Sequence, residues 1–384
     1  MGDATSLVLG EDQELLAKTA ADFVAERSPL SRVRALRDAD DPLGFSPALW
    51  KAMAELGWVG IPFPEVYGGA GLGMAELAIV LEALGHALAP EPFLATVLLG
   101  GQAILRGGSE AQRSAWLPRV CAGEACLALA SEERAGAGDP LCVATRAEAE
   151  GQGWRLEGEK APVLDGPAAQ AFVVAARTAG APRDREGVSL FLVPADAAGL
   201  EVLRLRRVDG RGAAALRLRG VHVGAEALLG APGAGRAILE PVLDLATAGL
   251  AAEMLGSAEE ALARTLHYLK HRVQFGVPIG SFQALKHRAA RLFIEVELCR
   301  SAVLAAVRAL DAGAADAAAL VSLAKARASE LAVHVADEAV QMHGGIGMTD
   351  EHEIGFFLKR ARVAACTLGD AAAHRERWAG LHGY

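Results

Sequence analysis

Residues 269–288 read LKHRVQFGVPIGSFQALKHR and lie between two long runs of apolar residues at helical spacing. Three cations end the first run, a glycine and a proline interrupt it, and Gln283 starts the second. Cations at a helix C-terminus complement the helix dipole, so a simple helix end would explain the pattern. In the alternative interpretation, Arg272 meets a phosphate while Gln274 and Gln283 supply amide hydrogen bonds to a polar ligand.

Helical periodicity extends outward from this stretch in both directions. Residues 231–384 are predicted to form a C-terminal four-helix bundle, and residues 1–122 an N-terminal helical domain. Within the latter, proline and glycine exclude regular helix from residues 60–73, which should form an ordered loop. The long helices of the predicted bundle span 236–273, 280–310, 314–343 and 351–365.

The middle of the chain follows a different period. Residues 123–230 contain short segments of alternating character separated by Gly, Asp and Pro, which is typical of strands and turns. They are predicted to form a middle antiparallel β domain. The fold class is therefore α+β and mostly α, in the order helices, strands, helices.

Composition excludes several classes of protein. The net charge of −9 argues against a general nucleic-acid or anionic-membrane surface, because both need a positive face. No run reaches the ~18 apolar residues of a membrane span, and the N-terminus lacks the basic and apolar segments of a signal peptide. The five cysteines form no CxxC pair, which fits reduced thiols in a cytoplasmic protein. No metal site is expected.

A second polar constellation, QMHGGIGMTDEHEIG, spans residues 341–355. A helix is predicted to end at residues 341–343, and the two glycines that follow let a backbone approach a ligand closely, with N–H groups facing an anion. A plain helix–helix connection would explain the glycines as well. Joining helices requires neither the Arg and Gln side chains of the first turn nor the two glycines of the second. The occurrence of both turns in one bundle therefore favours a ligand site.

These motifs resemble those of the acyl-CoA dehydrogenase family over essentially the whole chain. YLKHRVQFGVPIGSFQALKHRAA and QMHGGIGMTDEHEIGFFLKRA are similar to its two C-terminal motifs, and PEVYGGAGLG is similar to its N-terminal loop motif. The resemblance implies FAD bound between the β domain and the C-terminal bundle, and a bundle that forms the core of a tetramer. It also implies an acyl-CoA substrate and an electron-transfer flavoprotein or similar acceptor.

The resemblance implies FAD contacts from eight positions, six of them in the two C-terminal motifs. The first motif would hold the adenine-side and pyrophosphate portion of FAD, and the second would meet the cofactor across a subunit boundary. The eight positions are Arg272, Phe275, Gln283, Gln341, Gly344, Gly345, Ser131 and Asp370.

The implied reaction is α,β-dehydrogenation of an acyl-CoA thioester, in which a carboxylate takes the α proton and the β hydrogen leaves as hydride to the flavin. The family's usual base, a Glu before a Gly, falls on Leu368, and the position that some relatives use instead falls on Ala246. Glu253 lies seven residues beyond Ala246 on nearly the same helix face and is the predicted base. The alternative is a structural ion pair between Glu253 and a Lys or Arg of a neighbouring helix.

Other positions also depart from the family pattern. The turn ACTLGD at 365–370 ends in Asp370, where the family has a flavin-contacting Thr, although a carboxylate before AAAHRERWAG also suits a helix N-cap. The family's Thr-Glu-Pro-Gly-Ala-Gly-Ser-Asp run becomes SEERAGAGDP, with Ser131 at the Thr position. APVL at 161–164 lacks the Trp that packs on the isoalloxazine.

Three functions follow from these features. The first is an active flavin enzyme for bulky, branched or steroid-like acyl-CoA thioesters, since the features resemble divergent bacterial members that oxidise steroid or other cyclic side-chain CoA esters. The second is a non-catalytic partner subunit that completes a neighbour's FAD site. The third is a flavoenzyme of the same fold that needs no α-proton base, such as a desulfinase or monooxygenase. The assembly would be a homotetramer or an α2β2 heterotetramer.

Overall fold

The computed structural model describes residues 8–136 and 139–384. The chain forms two compact units. The first runs up to Ala35 and includes Met74–Ala89 and Thr247–Tyr384, and the second comprises Leu36–Gly73 and Pro90–Ala246. Each unit combines separate parts of the sequence, so this division does not test the boundaries of the three predicted domains. Those boundaries stay a prediction.

Eleven α-helices lie in the described residues, and the four predicted bundle helices are confirmed to within three residues at each end. No helix in this part of the chain combines the length and apolar character that crossing a membrane requires. The helices are α1 (Glu11–Arg27), α2 (Leu30–Asp38), α3 (Pro47–Glu55), α4 (Met74–His86), α5 (Gln102–Gly107), α6 (Glu110–Cys121), α7 (Gly235–His271), α8 (Gln283–Asp311), α9 (Ala317–His343), α10 (Ile354–Cys366) and α11 (Ala371–Leu381).

Helix α9 is the central helix of the first unit, because it packs against α8, α10 and α11. Its buried residues are mostly alanine and other small side chains, which let the neighbouring helices approach closely. Four of the buried residues are polar: Ser322, Lys325, Ser329 and His343. Lys325 bonds to Ser329 and to the turn between α10 and α11, where the sequence placed an expected base position.

Helices α4 and α7 meet in the first unit through two glycines. A Cβ atom at Gly85 would meet the carbonyl oxygen of Glu253, and one at Gly256 would meet the carbonyl oxygen of Glu82. Only glycine permits so close an approach of two helix backbones. The crossing therefore fixes the segment of α7 that carries Glu253.

The second unit contains an eight-stranded sheet in the order β6-β7-β3-β2-β4-β5-β8, with β1 paired to β4. The sheet is largely antiparallel as predicted, but β1 pairs parallel to β4 along its whole length and β2 meets β4 in parallel at one position. The strands are β1 (Leu127–Ala130), β2 (Arg146–Glu150), β3 (Gly153–Leu164), β4 (Ala171–Arg177), β5 (Val188–Pro194), β6 (Leu200–Arg204), β7 (Ala213–Gly224) and β8 (Leu228–Leu229).

Candidate functional site

The first candidate turn joins α7 to α8 and carries Arg272, Phe275 and Gln283. Two short strands, Val273–Gln274 and Val277–Pro278, pair antiparallel across it, so its backbone is ordered. The side chains of Arg272 and Gln283 are exposed, and the ring of Phe275 is 91% exposed. An aromatic ring that packs so little within its own unit is available to a ligand.

The second candidate turn follows α9 and carries Gln341, Gly344 and Gly345. Gly344 has a φ of 66°, which favours glycine. A Cβ atom at either glycine would meet no atom of the described residues within 4 Å. Packing within this unit therefore does not require glycine at position 345. Close approach of a ligand or another subunit to the backbone would require it.

The structure brings these two turns together within the first unit. Tyr268 lies one helical turn before Arg272, and its ring stacks on that of His343, the residue before Gly344, with ring centroids 4.4 Å apart. The two turns, which we call the cofactor turns, therefore lie next to each other. A guanidinium, exposed amides, an exposed ring and open glycines suit the phosphates and adenine of FAD.

Glu253 forms a buried ion pair with Arg360 of α10. Its carboxylate oxygens accept hydrogen bonds from Nε and Nη2 of Arg360 at 2.9 and 3.1 Å, and the two side chains are 8% and 5% exposed. A bidentate guanidinium stabilises the carboxylate anion and occupies the oxygens that a base would use. The structure therefore contains the structural ion pair that the sequence left as the alternative. A catalytic role for Glu253 stays a prediction, and this geometry does not favour it.

Leu368 lies on a tightly held turn between α10 and α11, with a φ of 59°. Nζ of Lys325 donates to the carbonyl oxygens of Ala365 and Gly369 at 3.3 and 2.8 Å. Nε2 of His374 donates to the carbonyl oxygen of Leu368 at 2.9 Å. The bond to Ala365 satisfies a carbonyl group that the C-terminus of α10 leaves without a partner, and the other two bonds hold the backbone of the turn itself. The turn fixes the residue at position 368, and that residue is apolar.

Asp370 caps α11. Its Oδ1 accepts a hydrogen bond from the backbone N–H of Ala373 at 2.8 Å, which satisfies one of the free donors of the first turn. The N-cap prediction is confirmed. The flavin contact that the resemblance implies for Asp370 stays a prediction.

His374 gives a prediction about stability in acid. Burial lowers the pKa of His374 from its ordinary value of about 6.5 to about 4. Between these values the unfolded chain binds a proton that the folded chain does not, so the free energy of unfolding should fall by up to about 3 kcal/mol as the pH drops from ~6.5 to ~4. His374→Gln can still donate to the Leu368 carbonyl and should lack this component. Urea unfolding at both pH values measures it, and equal losses in wild type and variant would contradict the expectation.

Ser131 belongs to the second unit, where a buried ion pair holds its backbone. Nζ of Lys160 donates to the carbonyl oxygen of Ser131 at 3.3 Å and to Oε1 of Glu133 at 2.7 Å. Burial lowers the pKa of Lys160 to about 8. Stretch 161–164, which lacks the Trp, follows Lys160 directly. The flavin contact implied for Ser131 stays a prediction, and residues 137–138 of the same segment lie outside the described residues.

Comparison with known proteins identifies the family. Profiles of the acyl-CoA dehydrogenase N-terminal, middle and C-terminal domains match residues 10–124, 126–221 and 233–380. Acyl-CoA dehydrogenase FadE12 of Mycobacterium tuberculosis is 32% identical over 94% of this chain and 93% of its own length. The chain belongs to the acyl-CoA dehydrogenase family.

Solved acyl-CoA dehydrogenase structures resemble the whole chain. A variant of the Tcur3481-Tcur3483 steroid ACAD is 35% identical with a TM-score of 0.86, and the match covers 98% of both chains. A glutaryl-CoA dehydrogenase from Mycobacterium smegmatis in complex with FADH2 is 26% identical with a TM-score of 0.89, over 98% of this chain and 96% of that one. The predictions of FAD as cofactor and of a flavin oxidoreductase of the acyl-CoA dehydrogenase family are confirmed at the level of the family.

Sequence reasoning missed several residues that shape these turns. Lys325 and His374, which hold the turn of Leu368, and the ring pair of Tyr268 and His343 were not singled out. A lysine within the small apolar residues of SLAKARASE was a readable signal for Lys325, because a buried cation must find acceptors. His343 stands directly before the two glycines, so its position was visible while its ring partner was not.

Proposed function

We propose that this chain takes part in FAD-dependent α,β-dehydrogenation of a bulky, branched or steroid-like acyl-CoA thioester. It does so as one of two different chains of an α2β2 assembly, and the base that removes the α proton comes from the other chain. The observation that carries this proposal is a contrast: the cofactor turns are exposed, but none of the three positions considered for the base has a carboxylate that is free to take a proton. Leu368 and Ala246 cannot take a proton, and the carboxylate of Glu253 is held by Arg360.

The residues of this chain have binding and positioning roles in the proposed reaction. When bound, FAD supplies the acceptor for the hydride that leaves the β carbon, while a base takes the α proton and a C=C bond forms between the two carbons. Arg272 would hold a phosphate, Phe275 and Gln283 the adenine side, and the open glycines would let the cofactor approach the end of α9. An electron-transfer flavoprotein or a similar acceptor would then reoxidise the cofactor.

The proposed substrate class rests on the turn of Leu368 and on the relatives. Lys325 and His374 bond to the backbone of a turn that carries an apolar side chain where the family resemblance expects a carboxylate. An apolar side chain there suits contact with hydrocarbon rather than proton transfer. The steroid ACAD described above, whose name pairs two proteins, shares 35% identity with this chain. A bulky or cyclic acyl group and a second, different subunit are the proposals that agree with both observations.

The test compares the chain produced alone with the chain co-produced with any acyl-CoA dehydrogenase-like chain that a neighbouring gene encodes. Flavin content per chain, assembly mass, and bleaching of the flavin by a panel of linear, branched and steroid-like acyl-CoA thioesters are measured for both samples. We expect bleaching by the bulky thioesters in the two-chain sample only. A homotetramer of this chain that carries one flavin per chain and is bleached by acyl-CoA would overturn the proposal. A yellow chain that none of the thioesters bleaches in either sample would favour the flavoenzyme without a base.

A further inference from the structure

Three aromatic rings lie between the cofactor turns. Tyr268 and His343 stack with their ring planes 27° apart, His343 and His352 have ring centroids 4.5 Å apart, and Tyr268 meets His352 edge-on at 6.3 Å. We call these rings the Tyr268–His343–His352 stack. Such ring pairs stabilise the contact between their segments beyond the effect of the area they bury.

Two rings of the stack are linked directly to the cofactor turns, and the third is linked to the start of α10. The carbonyl oxygen of Tyr268 accepts the backbone N–H of Arg272 at 2.8 Å, so the ring and the phosphate-binding candidate share one helical turn. His343 ends α9 and precedes Gly344 directly. Nδ1 of His352 accepts the backbone N–H of Ile354, the first residue of α10, at 3.2 Å. A displacement of Tyr268 or His343 would therefore shift one cofactor turn against the other.

Hydrogen bonding assigns a neutral state to His343. Its Nδ1 lies 2.7 Å from the carbonyl oxygen of Ala339, which can only accept, so Nδ1 carries the proton. The residue is 3% exposed, and its Nε2 is buried with no hydrogen-bond partner among the described residues. A second proton on Nε2 would place a buried, unsatisfied and charged N–H next to His352.

The surroundings of the stack also oppose a positive charge. Burial lowers the pKa of His343, and His352 lowers it further, although the bond to Ala339 raises it. Burial lowers the pKa of His352 too, and of the charged neighbours Glu353 raises it while Arg264 lowers it. Arg264 is itself paired with Glu353 at 3.0 Å. Both imidazoles are therefore neutral at neutral pH, and acid would place like charges in contact.

We propose that the Tyr268–His343–His352 stack is a positioning element that holds the two cofactor turns in register for the phosphate and adenine portion of FAD, and that protonation of its histidines releases FAD in acid. The inference rests on the FAD contacts proposed above for Arg272, Gly344 and Gly345. It assigns the histidine before the two glycines a role in cofactor retention that is separate from any role in proton abstraction.

The test measures FAD release from the purified assembly by the fluorescence of free FAD as the pH is lowered from ~7.5 to ~5, the range in which histidine titrates. Wild type should retain FAD at the upper pH and release it across the lower part of the range. His343→Phe keeps a ring that cannot be protonated, so its release should move to lower pH. His343→Ala and Tyr268→Leu remove a ring and should weaken FAD binding at least tenfold at every pH. Thermal unfolding of each variant without FAD separates loss of cofactor from loss of fold.

Two outcomes overturn the inference alone. One is an affinity for FAD that His343→Ala leaves unchanged, and the other is a release curve of His343→Phe that coincides with that of wild type. An assembly in which wild type binds no FAD at any pH would overturn the proposed cofactor contacts together with the inference. The experiment therefore distinguishes an incorrect role for the stack, which the His343 variants would show, from incorrect cofactor contacts, which wild type would show.

Discussion

Replacing Leu368 with glutamate is expected to raise the rate of flavin bleaching by acyl-CoA about 10²–10⁴-fold in the chain saturated with FAD, which is the usual contribution of a positioned general base. The turn needs no rebuilding for this change, because Lys325 and His374 already hold its carbonyl groups. The new carboxylate would occupy the position at which the family resemblance places the base. Anaerobic mixing with the best acyl-CoA of the panel measures the rate.

Leu368→Gln is the matched control, because glutamine has the shape of glutamate and cannot take the α proton. It should bleach no faster than wild type. Equal rates in Leu368→Glu and Leu368→Gln, together with rapid bleaching in wild type, would show that the chain already has a base elsewhere. That result would return attention to Glu253.

Breaking the Glu253–Arg360 pair is expected to lower the free energy of unfolding by about 3–5 kcal/mol, because the remaining charge stays buried without its counterion. Glu253→Gln and Arg360→Met should each show this loss in urea unfolding. The double variant Glu253→Met with Arg360→Met should recover most of it, since apolar side chains of similar volume replace buried pairs at little cost.

The same variants separate a structural role from a catalytic one. A structural Glu253 predicts that the folded assembly with Glu253→Gln bleaches at nearly the wild-type rate. Loss of bleaching by about 100-fold or more, with unchanged stability, would identify Glu253 as the base and refute a base on the other chain.

Periodicity allowed the helices and the sheet-containing middle segment to be predicted, because each pattern extends over many residues. The ends of α7, α8, α9 and α10 fell within three residues of those expected. The parallel pairing of β1 with β4 was not predictable, since alternation within a strand carries no information on the direction of its neighbour. The alternating pattern of residues 123–230 therefore predicted that this segment forms a β domain. It did not predict the direction in which each strand pairs with its neighbours.

The features of the candidate site that depend on position in a motif could be predicted from the sequence. The features that depend on tertiary contacts could not. The absence of a carboxylate at positions 368 and 246 can be read from the sequence alone. The partner of Glu253 could not be, because Arg360 lies 107 residues away along the chain. The contact between the cofactor turns likewise depends on two rings, Tyr268 and His343, that only the fold brings together.

Exchange of the acyl α proton for deuterium in D₂O tests most directly whether this chain carries the base, since the exchange requires proton abstraction and no hydride transfer. The chain alone, saturated with FAD and with a steroid-like acyl-CoA, should exchange the α proton no faster than buffer, while Leu368→Glu should exchange it and Leu368→Gln should not. Rapid exchange by the wild-type chain that Glu253→Gln abolishes would contradict the account and place the base on this chain.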